Sequence, residues 1–240
     1  MTGCSRCILL LIASAGLLLN ACQTPVRHGG GAVQQAPFSV EQLAKKDVDV
    51  VTEIHLQHTF KYLRLLTEKL YRRNPREWRK GGNRSLQEAV ARLFGQWGDG
   101  WGPRLNGRRA IDSMRRAFDP AYEGDRVHAL IAGMGGMILQ SYNGKRQFYL
   151  LDELNPQSLY NAARNLEVAG WRLAQRRDAE GRLLLVSNAL QGPVTNLSFE
   201  RLFGKMIALQ DSMAEIVADA TNRRIRTLIR NVASMVFMPL

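Results

Sequence analysis

Apolar residues recur along most of this chain at spacings of three and four, the period of one helix face. From Ser39 to Arg73 the positions Ala44, Val48, Val51, His55, His58, Tyr62 and Leu65 draw one stripe, widened by Leu66 and Leu70. Ser39 and Gln42 form a capping box at its start, and Asn74-Pro75 stops it. The pattern predicts a long amphipathic helix there. A short helix is predicted over Ser85–Phe94, with Ser85 and Glu88 as a second capping box, and a short basic one over Arg108–Phe118. Between them, Gly95 to Gly107 carries Trp97, Trp101, Pro103 and five glycines and reads as a loop.

The stretch from Asp125 to Tyr142 is apolar nearly all round, which predicts a buried helix closed by Asn143-Gly144. The same Asn-Gly would also serve a hairpin whose return strand is Gln147–Leu151. Asn155 and Pro156 have the cap and first-turn chemistry of another helix, running to about Arg176. Asp178–Gly181 reads as a turn, Arg182–Ser187 as a strand-like piece, and Gly192-Pro193 as a break. Asn196 or Ser198 then opens a final helix with Leu202, Met206, Leu209, Met213, Ile216 and Ala220 at heptad spacing. That phase slips across Thr221–Arg224 and resumes at Ile225, Ile229, Val232 and Val236, which predicts a kink or restart near 222. The fold class expected is mainly α, one helical domain over 39–240 with long first and last helices and at most a small β-hairpin.

The first 22 residues follow a different pattern. One arginine, Arg6, precedes an apolar run from Ile8 to Leu19, too short for the roughly 20 residues that span a bilayer. The run ends in Leu19-Asn20-Ala21-Cys22, which resembles the lipobox of bacterial lipoproteins. The resemblance implies a signal peptide over 1–21, a lipid on Cys22 and, with Gln23 next in line, an outer-membrane anchor facing the periplasm. Residues 22–38, rich in Gly, Pro and Gln, would then be a flexible tether. Cys4 and Cys7 would leave with the signal, so disulfides and thiolate chemistry are excluded from the mature domain.

Charge sharpens the picture. The chain carries a formal net charge of +12, and Lys61–Arg116 holds fifteen Lys or Arg against five acids. Such a patch points to an anionic partner. In the periplasm that means an envelope protein, peptidoglycan or lipid headgroups, and no nucleic acid. Within the patch Arg76, Trp78, Arg79, Lys80, Arg84, Trp97 and Trp101 are the candidate partner-binding residues, because aromatic rings and guanidinium groups dominate binding hot spots and stack on sugars. The same tryptophans could instead staple a loop to the core.

Other candidates are weaker. His55, His58 and His128 lie near Glu53 and Asp125, but the paired Glu-x-x-His pattern of helical metal sites is missing, so core hydrogen bonding is the expectation and no metal or cofactor is assigned. Gly133 and Gly136, each four residues after an alanine, predict a close helix crossing rather than a phosphate loop. Asn161, Arg164, Asn165 and Glu167 are candidates for an inward polar network. No nucleophile elbow or metalloprotease helix is present. The function expected is a non-catalytic interaction or scaffold role at the envelope, using residues 61–116, with self-association through the C-terminal helix as a further expectation. Peptidoglycan binding is the second reading, and a hydrolase or metal-dependent enzyme the third.

Overall fold

The structure is a computed structural model and describes residues 27–28, 31–32, 47–95, 110–149, 152–188 and 196–236, with only the backbone path described for 27–28, 31–32 and 224–236. Residues 1–43 and 44–240 form two compact units. In the first, strands β1 (Arg27–His28) and β2 (Gly31–Ala32) pair antiparallel. In the second, the described residues form seven helices: α1 (Asp47–Arg73), α2 (Pro75–Lys80), α3 (Leu86–Phe94), α4 (Ala110–Ala117), α5 (Arg126–Ser141), α6 (Pro156–Gln175) and α7 (Ser198–Val236). The fold is mainly α.

Most of these boundaries follow from local chemistry. Asn74 ends α1 because the residue before a proline is driven out of the helical region, and Pro75 then opens α2 at the position where its missing N–H costs nothing. Ser85 accepts from the Glu88 amide at 3.1 Å, and Glu88 reaches back to the Arg84 amide at 2.7 Å, one residue earlier than the capping box predicts. Asn155 caps α6 through the Gln157 amide at 2.9 Å. Asn143 and Gly144, both at positive φ, close α5 with a bond from the Gly144 amide to the Leu139 carbonyl. The rival hairpin is overturned: residues 147–149 form no strand, and α5 is buried over nearly its whole length. The strand-like reading of 182–187 reduces to one bridge, Arg177 to Leu183.

The core packs α4 on α5, α6 on α7 and α1 on α7. Leu63, Leu66 and Leu70 of α1, Leu130, Ile131 and Ile138 of α5, Leu166 of α6, and Met206 and Met213 of α7 are fully buried in it. The stripe expected on α1 is displaced by about one residue. Leu56, Thr59, Leu63, Leu66 and Leu70 face the core, while His58 and Leu65 are exposed and His55 and Tyr62 only half-buried. Threonine explains the shift. Thr52, Thr59 and Thr67 each donate their hydroxyl to the carbonyl four residues back, at 2.7–2.8 Å, and so present methyl groups to the core.

The Gly133 and Gly136 crossing is present. A Cβ on Gly133 would lie 2.6 Å from the Ala110 carbonyl oxygen and 2.8 Å from the Met114 amide nitrogen of α4. Helix α7 runs unbroken from Ser198 to Val236, so the restart expected near 222 does not occur. Its buried positions, Phe199, Leu202, Met206, Met213 and Val217, are spent on its own core, with Leu209 and Ile216 at the margin. Among the described residues no helix is long and apolar enough to cross a membrane.

Candidate functional site

The α1–α2 corner stands over a polar knot buried at the start of α5. Glu77 accepts from the Arg126 amide at 2.7 Å and from Lys80 Nζ at 2.8 Å. Asp125 accepts from the His128 amide and from the Tyr71 hydroxyl, each at 2.9 Å. Two carboxylates thus meet the positive end of one helix. Burial pushes the Asp125 carboxyl up to about 6, and the neighbouring Glu77 charge adds to this against the pull of the two hydrogen bonds. The Arg126 guanidinium, itself buried, donates to the carbonyls of Ala117, Asp119 and Pro120 at 2.6–3.0 Å and pins the turn after α4 beneath the corner.

Above this floor lies a cleft of about 600 Å³ between the corner and residues 178–186. Asn74 ties its two walls together. Its Oδ1 accepts from the Val186 amide at 2.7 Å, and its Nδ2 donates to the Val186 carbonyl at 2.9 Å, as a strand neighbour would. Arg73, Arg76, Lys80, Arg126 and Arg182 line the cleft against Glu77, Asp178 and Glu180. The three acids are engaged: Glu77 by Lys80 and the Arg126 amide, Asp178 and Glu180 by Arg182 at 2.9 Å each. Arg73 and Arg76 are exposed, and their guanidinium groups make no ion pair or hydrogen bond among the described residues. The cleft is therefore walled by fixed pairs and mouthed by two guanidinium groups with all their donors available. Among the described residues its lining holds no serine, cysteine or histidine.

The sequence candidates fall into three groups. Arg76 and Lys80 enter the cleft. Trp78 packs one side against the core while Arg79 stacks over its ring at 4.8 Å, so this tryptophan is a staple with a cationic lid. Arg84 is exposed in the turn before α3, outside the cleft lining. Trp97 and Trp101, like Cys22, lie outside the described residues.

Sequence reading missed Arg73, Asn74 and the wall at 178–186, because their meeting depends on a contact 112 residues apart. It also missed Trp171, whose 64 % exposure is the highest of the large apolar side chains described.

The other candidates resolve as follows. His55 donates through Nδ1 to the Val51 carbonyl at 2.9 Å, and His58 is exposed beside the Tyr62 ring. Among the described residues no group of three His, Cys, Asp or Glu is placed to hold a metal. The inward network expected on α6 is instead peripheral: Arg164 bridges Glu167 at 2.8 Å and Asp211 at 2.6 Å, and Asn161 is exposed. A second depression, beside Tyr122, sets Arg115 and Arg116 against Asp112, Asp119 and Glu123, and so has no excess of positive charge. Comparison with known proteins returns no matching family model, no similar curated protein and no similar solved structure.

Proposed function

We propose that this chain is a lipid-anchored envelope protein, held at the outer membrane through Cys22, whose α1–α2 corner binds carboxylate groups of an acidic partner protein without transforming them. The observation that carries the reading is the pair of unengaged guanidinium groups, Arg73 and Arg76, at the mouth of a cleft whose own acids are all engaged. Arginine pairs with a carboxylate bidentately, and a cleft with tied walls loses little freedom when it does so. Arg79 and Arg84 extend the positive field around the mouth. Self-association through α7 is confined in this reading to residues after Arg223, since the earlier stripe is buried.

In-cell crosslinking of the chain with Arg73→Glu, Arg76→Glu and Arg79→Glu tests the corner. The expected result is loss of the crosslinked partner at unchanged protein level, and an unchanged partner set overturns the reading. Co-sedimentation with purified sacculi separates an acidic protein from peptidoglycan: arginine-dependent pelleting would transfer the site to the glycan-linked peptides. Metabolic labelling with a fatty-acid probe tests the anchor, which requires label on the wild type and none on Cys22→Ala.

A further inference from the structure

The exposed face of α6 carries a row of large side chains. Tyr160, Arg164, Val168 and Trp171 follow one another at spacings of four, four and three, so they form a single ridge. Tyr160 and Val168 are each 47 % exposed and Trp171 64 %. Large apolar side chains this open, aligned on one face, mark a surface that meets something. Beside the ridge, Ile111 and Met114 of α4 and Phe118 just after it border a depression of about 100 Å³ with Val168 and Ala169. With Tyr160, Val168 and Trp171 this exposed, the face is a ridge.

Charge narrows the partner further. The acids near the ridge are each held by an arginine: Glu167 and Asp211 by Arg164, and Asp112 by Arg115. The guanidinium groups of Arg172 and Arg176, one and five residues after Trp171, make no hydrogen bond or ion pair among the described residues. The uncompensated charge on this face is positive. Aromatic rings with an apolar body and polar edge, joined by arginines whose heads stay wet, are the chemistry of the lipid–water interface.

We infer that the α6 ridge rests on an anionic phospholipid surface, with Trp171 and Val168 entering the headgroup region and Arg172 and Arg176 contacting lipid phosphates. A fluid bilayer conforms to a convex ridge, and a protein partner would need a matching hollow. The inference rests on exposure and charge at α6 and is independent of the corner and of lipidation at Cys22.

Vesicle flotation tests it, using the chain from Gln23 onward. This removes the apolar leader, which would bind lipid by itself, and leaves the compact unit 44–240 entire. Wild type is expected to float with phosphatidylglycerol-containing vesicles and not with pure phosphatidylcholine. Trp171→Ala with Val168→Ala should lower the bound fraction about tenfold or more, and each of Arg172→Gln and Arg176→Gln about fivefold, with unchanged melting temperature. Three results overturn the inference: no flotation of wild type on anionic vesicles, flotation insensitive to Trp171→Ala, or flotation abolished by the Arg73, Arg76 and Arg79 reversals alone. The last would place the bilayer at the corner. A photocrosslinker at position 171 that captures a protein and no lipid would assign the ridge to a protein partner, and would likewise overturn it.

Discussion

At Gly133 the space available for a side chain is already taken by the backbone of α4, with the Ala110 carbonyl oxygen 2.6 Å from where a Cβ would stand. Backbone cannot swing aside as a flexible side chain can, so Gly133→Ala must push α4 off α5. Overpacking of this kind costs about 1–3 kcal/mol, more than the roughly 1 kcal/mol that alanine returns in helix propensity. Gly136 lies one turn on, yet its nearest neighbour is the Ala110 methyl at 3.2 Å. Gly136→Ala should therefore be close to neutral in urea unfolding, while Gly133→Ala lowers the midpoint clearly. Equal effects of the two would mean that the crossing is not centred on Gly133. Gln210 is the converse case. Its amide is fully buried, facing the Tyr142 hydroxyl without good hydrogen-bond geometry to it. Gln210→Met keeps the volume and removes the polar group, and is expected to raise stability by about 1–2 kcal/mol; a lower thermal midpoint would show that the amide is satisfied. The glycine crossing was legible in the sequence because small residues four apart have one steric use. The Tyr142–Gln210 pair was not, because the two are 68 positions apart and share no pattern.

At the scale of the element, legibility depended on whether the signal was local. Caps and stops are set by residues within one turn, and Ser85, Asn74-Pro75, Asn143-Gly144 and Asn155-Pro156 all stand where their chemistry implies. On α1 the spacing of aliphatic residues alone misplaces the face, because a threonine hydroxyl bonded to its own helix leaves a methyl group to pack. The heptad on α7 located a helix correctly but suggested an open seam, when most of that stripe is consumed by α1 and α6. The wall at 178–186 was illegible as part of a site, because it is held by the side chain of Asn74 rather than by a periodic pattern. This tie is open to test. Asn74→Ala removes both bonds to Val186, and hydrogen exchange at the Val186 amide should quicken at least tenfold while the α5 amides remain protected. If Val186 stays protected in that variant, the wall is held by packing and the tie is incidental.

For the whole molecule, the knot beneath the corner gives stability a pH dependence of unusual sign. A carboxylate held by an ion pair has a lowered pKa in the folded state and lends stability above its titration range. Asp125 behaves oppositely. Burial first, and the Glu77 charge second, raise it from the ordinary 3.8 to about 6, so the folded chain holds a proton that the unfolded chain has released. Between those two values the folded state binds more protons than the unfolded state, and the stability contributed at this site falls as pH rises. Above about 6 the ionised carboxylate remains in place at a cost on the order of 3 kcal/mol, at roughly 1.36 kcal/mol per pH unit between the ordinary value and the raised one. Asp125→Asn separates this contribution from the other carboxylates. Its side-chain oxygen can still cap α5 through the His128 amide, but it has no proton to release. The difference in unfolding free energy, wild type minus variant, should decline steadily from pH 4 to pH 6.5 and then level. A flat difference would place Asp125 at an ordinary pKa, and a rising one would mean that the Tyr71 and His128 donors outweigh burial. The direction also bears on the corner, because Glu77 joins the knot to the cleft floor. With Asp125 ionised the floor carries an added buried negative charge behind Arg73 and Arg76, and binding of an anion at the mouth should weaken modestly across the same interval, in wild type and not in Asp125→Asn.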